Sequence, residues 1–159
     1  MKIGVISDTH LHEPDESLSE LVNTAFADVE MILHAGDLTR IAVLDAFSSK
    51  DVVAVCGNMD QNDVANRLRD REIIQVSGYR LGLIHGWGGS AGIEDRIKKL
   101  FGKIDVIVYG HTHRPANHRT DGILMFNPGA YSGTFLFGVK RSIGILTIED
   151  TIRGEILQL

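Results

Sequence analysis

Residues 105–114, "DVIVYGHTHR", decide how the rest of the chain is read. Val106, Ile107 and Val108 form a short β-branched run of the kind found inside a sheet, and it stops at Gly110 before two histidines one residue apart. Either a histidine-rich loop follows, or the strand is aiming ligands. Working outward, comparable runs occur at 2–7 ("KIGVIS"), 31–36 ("MILHAG") and 52–57 ("VVAVCG"). Between the first two, "SLSELVNTAFADV" at 17–29 has helical period, with Leu18, Leu21, Val22 and Phe26 on one face and Ser17 with Glu20 spaced as a capping box. "RIAVLDAFSS" at 40–49 supplies a second helix. This β-α-β-α-β order predicts α/β architecture with a parallel sheet.

The later half changes character. "REIIQVSGYRLGLIHG" at 71–86 reads as two strands joined at Ser77-Gly78, and "AGIEDRIKKLFG" at 91–102 as an amphipathic helix leading into the opening stretch. Asp121-Gly122 separates two further extended segments, and 142–150 with 151–159 makes a closing pair. The expected result is a mixed arrangement, parallel early and antiparallel late, with a second sheet packed on the first. No repeat, low-complexity tract or linker divides the 159 residues, so one domain, 1–159, is expected.

Composition excludes several function classes. One cysteine, Cys56, rules out an intramolecular disulfide and a Cys-based zinc knuckle. No apolar stretch approaches the ~20 residues of a membrane helix, and the first apolar run lacks the cationic lead-in of a signal peptide, so a cytoplasmic protein without membrane contact is expected. Net charge is −5 with basic residues scattered, which argues against non-specific nucleic-acid binding.

The carboxyl ends of the apolar runs carry the chemistry. They read "SDTH" (Asp8, His10), "AGD" (Asp37), "CGN" (Asn58), "IHG" (His85) and "GHTH" (His111, His113). In open α/β sheets ligands bind outside the strands' carboxyl ends, so these seven side chains can meet although scattered in sequence. Neighbouring glycines would permit positive φ, close backbone approach and sharp turns there. Imidazoles, carboxylates and one amide suit Mn, Fe, Zn, Ni or Co. Seven ligands exceed one tetrahedral zinc and suit two cations sharing a carboxylate, a clamp for in-line displacement at phosphorus.

The order D-x-H, G-D, G-N, H-G, G-H-x-H resembles the calcineurin-like metallophosphoesterase superfamily, from Asp8 to the "NPGA" at 127–130, and the length resembles its small bacterial and archaeal phosphodiesterases. The resemblance implies a four-layer α-β-β-α sandwich of two mixed sheets flanked by helices. It implies two divalent metals, manganese foremost, one held by Asp8, His10, Asp37 and His113 and the other by Asp37, Asn58, His85 and His111. Asp37 would bridge, and a metal-bridging hydroxide would attack a small-molecule or nucleotide phosphodiester. Asp37, Asn58 and His85 would be the catalytic centre, with Asn58 also touching substrate.

The sequence departs from the larger enzymes of that superfamily at "GNMD" and "GDLTR". Where they carry the histidine of G-N-H, Met59 cannot protonate a leaving group, so activated aryl diesters should react better than alkyl ones. His12 and Arg114 are candidate substrate contacts, each with a solvated-surface alternative. His34 reads as a core histidine or as one that orients a ligand, Asp60 as a hydrogen-bonding neighbour of the site, His118 as exposed and Cys56 as a small buried hydrophobe. Asn127 and Gly129 are expected to shape a loop facing the metals. Phe135, Leu136 and Phe137 suggest either a core segment or an oligomer contact or lid. A phosphomonoesterase and a scaffold similar to the small retromer subunit are the competing functions.

Overall fold

The computed structural model describes residues 1–133 and 140–159; the expectations for Phe135, Leu136 and Phe137 lie outside the described residues. Among the described residues ten strands form two five-stranded sheets. The first has the order β10-β9-β1-β2-β3, with β1 Lys2–Ile6, β2 Met31–His34, β3 Asp51–Ala54, β9 Ser142–Ile148 and β10 Ile152–Gln158. The second has the order β4-β5-β6-β8-β7, with β4 Arg71–Val76, β5 Tyr79–Ile84, β6 Val106–Tyr109, β7 Ala116–Thr120 and β8 Ile123–Asn127.

Both sheets are mixed, but the division into a parallel early half and an antiparallel late half is not what forms. β5, β6 and β8 run parallel, while β9 returns to pair antiparallel with β1. The run that opened the sequence shows why such a strand can be apolar throughout. Val106 and Val108 face the core between the sheets, and Ile107 and Tyr109 face the opposite layer against Ile93, Ile97 and Phe101. The period of two is intact, with apolar surface on both sides.

Between the sheets lie Ile3, Val5, Leu33, Val55, Leu83, Phe126 and Leu146. Phe126 seats its ring over Gly144 and Gly154, where an added Cβ would stand 2.5 Å from the ring. Full burial of such side chains stabilises by roughly 1.5–3 kcal/mol each. The outer face of the first sheet is covered by α1 (Glu16–Asn23) and a 3₁₀ helix (Ile41–Phe47), and that of the second by α3 (Ile93–Lys98). The four-layer sandwich follows. A short α2 (Asn62–Ala65) was not evident from periodicity.

Two local readings need correction. The cap of α1 is Asp15, whose carboxylate accepts from Leu18 N at 2.7 Å, rather than Ser17. The helix therefore starts two residues earlier than a Ser17-Glu20 box requires and stops at Asn23, although Leu18, Leu21, Val22 and Phe26 are all buried as expected. The second helix is 3₁₀ rather than α, burying Val43 and Phe47. The turn at Ser77-Gly78 forms as read, with both residues at positive φ (50° and 83°).

Candidate metal centre

Strands β1, β2, β3, β5 and β6 all end on one side of the sandwich, and the residues that follow them meet there. Backbone pairing continues past the strand ends: Asp8 N donates to Gly36 O, His10 N to Asp37 O and Gly110 N to His85 O, each at 3.0–3.1 Å. The chain keeps these contacts while turning because the site residues themselves take positive φ. Asp8, His10, Asp37, His111 and His113 lie between 50° and 68°. Non-glycine residues there are strained by about 1–3 kcal/mol each, a cost borne where geometry matters. The glycines divide between the two expected roles, Gly36 and Gly86 taking positive φ (91° and 98°) beside Asp37 and His85. Gly57 and Gly110 have no positive φ and serve close approach instead: a Cβ at Gly57 would stand 2.2 Å from Asp37 Oδ1, and one at Gly110 2.0 Å from Ser7 Oγ.

Two groups of donor atoms converge within 4.8 Å, Asp8 with His10 and His113, and Asp8 with Asp37 and His85. Asp8 Oδ1 lies 3.1 Å from His113 Nε2, 3.9 Å from His10 Nε2 and 4.0 Å from His85 Nε2. Asp37 Oδ2 lies 3.3 Å from His85 Nε2 and 3.9 Å from His10 Nε2. Both buried carboxylates thus face both sides of the cluster, where only Asp37 was expected to. Asn58 and His111 complete the second side, Asn58 Oδ1 being 2.9 Å from His111 Nδ1 and the His111 ring packing edge-on to His85.

The remaining polar atoms of these residues are anchored. Asp8 Oδ2 accepts from Ser7 Oγ at 2.6 Å and His111 N at 3.2 Å, and Asp37 Oδ1 accepts from Met59 N at 2.7 Å. His85 Nδ1 is 2.7 Å from Ala35 O and His111 Nε2 is 2.7 Å from Gly88 O. A carbonyl only accepts, so each ring carries its proton there and presents a lone pair on its other nitrogen. For His111 that lone pair faces the Asn58 oxygen. For His85 it points at two carboxylates, and Asp8 Oδ1 and His85 Nε2 are buried without any hydrogen-bond partner. Two buried carboxylates packed among imidazole nitrogens need positive charge between them, from protonated rings or from a cation, so this donor set fits divalent metal ions.

Charge coupling in the cluster is strong. Burial would raise the Asp37 carboxyl, but His85 and the Met59 N–H hold it below its ordinary value. Burial disfavours the His85 cation, yet Asp37 and Asp8 raise that ring above its ordinary value, and contact with Asp8 does the same for His113.

Other expected residues separate clearly. Asp60 clamps the loop from behind, accepting from Gly57 N (2.7 Å), Thr39 N (2.6 Å) and Asp37 N (3.1 Å). His34 is fully buried between two site loops, contacting Thr9 Oγ1 and accepting from Gly36 N, and burial pushes its pKa down to about 3. Asn127 donates to Gly110 O and Thr112 Oγ1 and accepts from Gly129 N, bracing the loop of His111 and His113. His12, Arg114 and His118 are exposed, and His118 pairs with Glu94 at 3.0 Å. Cys56 is only partly buried, and burial with nearby aspartates raises its thiol to about 11. Sequence reasoning missed Ser7 and Thr9, which hold Asp8 and His34, and also Trp87, Gly88 and Arg96. For Ser7 and Thr9 the available signal was adjacency to Asp8.

Comparison with known proteins agrees with this geometry. Residues 1–151 match the calcineurin-like phosphoesterase superfamily domain. The chain is 37% identical to the probable metallophosphoesterase MJ0623 of Methanocaldococcus jannaschii, covering all of this chain and 82% of that protein. It is 32% identical to phosphodiesterase MJ0936 of the same organism over 99% of both chains. A solved archaeal phosphodiesterase superposes with a TM-score of 0.75 at 28% identity, over 99% of this chain and all of that one. Zinc-complexed Vps29 from Entamoeba histolytica, 22% identical, shares the fold with a TM-score of 0.74 over 99% of both chains.

Proposed function

This chain belongs to the calcineurin-like phosphoesterase superfamily, and from that premise we propose that its 159 residues act as one metal-dependent phosphodiesterase domain for a small-molecule or nucleotide phosphodiester. The observation that carries the reading is the convergence of buried carboxylate oxygens and imidazole nitrogens, those of Asp8, Asp37 and His85 above all, within 4.8 Å of one another. Asp8, His10, Asp37 and His113 would hold one divalent ion and Asp37, Asn58, His85 and His111 another, manganese being the first choice. Such ions, when bound, supply Lewis acidity that lowers the pKa of a water and neutralises phosphoryl oxygens.

The chain's own contribution is orientation. Ala35 O and Gly88 O fix the tautomers of His85 and His111, while Met59 N and Ser7 Oγ each hold one oxygen of the two carboxylates, leaving the other directed into the cluster. Met59 offers no proton to the leaving group, which favours substrates whose leaving group departs as a stable anion. Aryl esters are then preferred over alkyl esters. The intact cluster supports hydrolysis over a pure scaffold role.

The test compares an aryl phosphodiester with its monoester after chelation and re-addition of Mn²⁺, using Asp37→Asn as control. Restored diester turnover that Asp37→Asn lacks is the expected result. Absence of turnover with every first-row divalent ion, or near-normal turnover by Asp37→Asn, would overturn the reading.

A further inference from the structure

A cleft of about 330 Å³ opens directly beside the cluster, and Asn58 and His85 form one end of it. Ile84, Trp87 and Leu100 line it with Asp70 and Arg71. Two of its apolar side chains are unusual for an exposed surface, since Trp87 is 45% and Leu100 37% exposed. Exposed aromatic surface close to a polar centre marks a place for a flat ligand group.

The platform is held in place. Arg96 on α3 donates to three carbonyls of the loop that carries Trp87: Trp87 O at 2.9 Å, Ala91 O at 2.8 Å, and Gly89 O. The same loop receives the His111 N–H at Gly88 O. Gly86, Gly88 and Gly92 take positive φ, which lets its carbonyls turn toward these donors. One short loop therefore positions both the ring of Trp87 and the lone pair of His111. Trp87 lines the same cleft as His85 and Asn58, so a group stacked on the indole lies close to anything bound at the cluster.

We propose that this cleft is a subsite for one ester group of the substrate and that the group is a nucleoside, its base lying on Trp87 and its heteroatom edge toward Asp70 and Arg71. Asp70 and Arg71 offer an acceptor and donors to the heteroatom edge of a base, and the cleft volume, at the lower end for ligand pockets, suits one nucleoside rather than an oligonucleotide. The subsite names the substrate class of the proposed phosphodiesterase and rests on that reading.

Two substrates with the same leaving group test it: thymidine 5′-(p-nitrophenyl phosphate) and methyl p-nitrophenyl phosphate, with the Mn²⁺-loaded chain. The wild type should favour the thymidine ester in kcat/KM by roughly ten- to a hundredfold, the factor one base stacked on an aromatic ring provides. Trp87→Ala should bring that ratio close to unity and Trp87→Phe should keep most of it. A wild-type ratio near unity, or a preference that survives Trp87→Ala, overturns the subsite. If the loaded chain turns over neither ester, the phosphodiesterase reading fails while the subsite is still judged by binding. Trp87 is the chain's one tryptophan, so its fluorescence reports the cleft alone. Saturable quenching by thymidine 5′-monophosphate but not by ribose 5-phosphate supports the subsite, and no quenching by either rejects it.

Discussion

The two sides of the cluster are built by different means. On the side of His85 and His111, each ring has its second nitrogen fixed to a backbone carbonyl at 2.7 Å, and His85 is 2% exposed. On the side of His10 and His113 the rings are 25% and 28% exposed, their Nε2 atoms face each other at 3.5 Å, and His113 leans on Asp8 at 3.1 Å. Each side must exchange a histidine–carboxylate contact for metal contacts, His85 with Asp37 at 3.3 Å and His113 with Asp8 at 3.1 Å. The His85 side is the more buried, and less of its binding is lost to competition from water, so it should take its cation more tightly.

The strongest way to break this comparison is to remove one imidazole from each side. His85→Ala should lower diester turnover by about a thousandfold, and His10→Ala by about a hundredfold, since Lewis-acid stabilisation is worth several kcal/mol and the fixed side holds more of it. Calorimetric titration with Mn²⁺ checks the assignment: the high-affinity event should vanish in His85→Ala and persist in His10→Ala. Loss of the same event in both variants would mean that the sides do not bind independently.

Asp60→Ala sharpens it from behind, because Asp60 ties the Asp37 loop to the Gly57-Asn58 turn. Three backbone N–H groups lose their acceptor, at about 1–3 kcal/mol for each left unsatisfied and less where water enters. A urea midpoint shift of that order, with about ten- to a hundredfold weaker metal binding, is expected. A smaller effect comes from the two glycines. In Gly57→Ala the new carbon meets the Asp37 backbone nitrogen at 2.4 Å, which cannot yield, whereas in Gly110→Ala its nearest obstacle is the Ser7 hydroxyl, which can rotate. Gly57→Ala should cost about 1–3 kcal/mol in thermal unfolding, and Gly110→Ala less.

The mildest test is pH. His34 bridges the loops of Asp8 and Asp37 as a neutral ring whose folded pKa is depressed to about 3. The unfolded chain binds this proton near pH 6.5 and the folded chain does not, so stability is full above that pH and falls as pH drops toward 3. The slope is about 1.4 kcal/mol per pH unit from this residue at most. Urea unfolding of wild type and His34→Gln at pH 7 and 5 should show a smaller pH dependence in the variant.

How much of this was legible in advance differs by residue. That Asp8, His10, Asp37, His85 and His113 gather in groups able to hold a metal was readable from the strand ends, as was the hairpin at Ser77-Gly78, because both depend on short-range patterns. α1 was found but its cap was misplaced, because Asp15 and Ser17 are both good caps and only the packing of Leu18 against the sheet chooses the register. Trp87 carried no periodic signal at all. Its meaning depends on Arg96, nine residues away on α3, and on a cleft whose walls come from separate strands and loops.

The sequence by itself determined which residue types sit at the strand ends, and with them the metal-site chemistry and the superfamily. Strand period, turn residues and ligand identity are local properties that survive in one dimension. Only the tertiary structure decided that β9 closes the first sheet beside β1, that both Asp8 and Asp37 face both sides of the cluster, and that Ala35 O and Gly88 O set the imidazole tautomers. Those features are contacts between residues up to about a hundred and forty positions apart, specified by packing between layers, for which no local pattern exists.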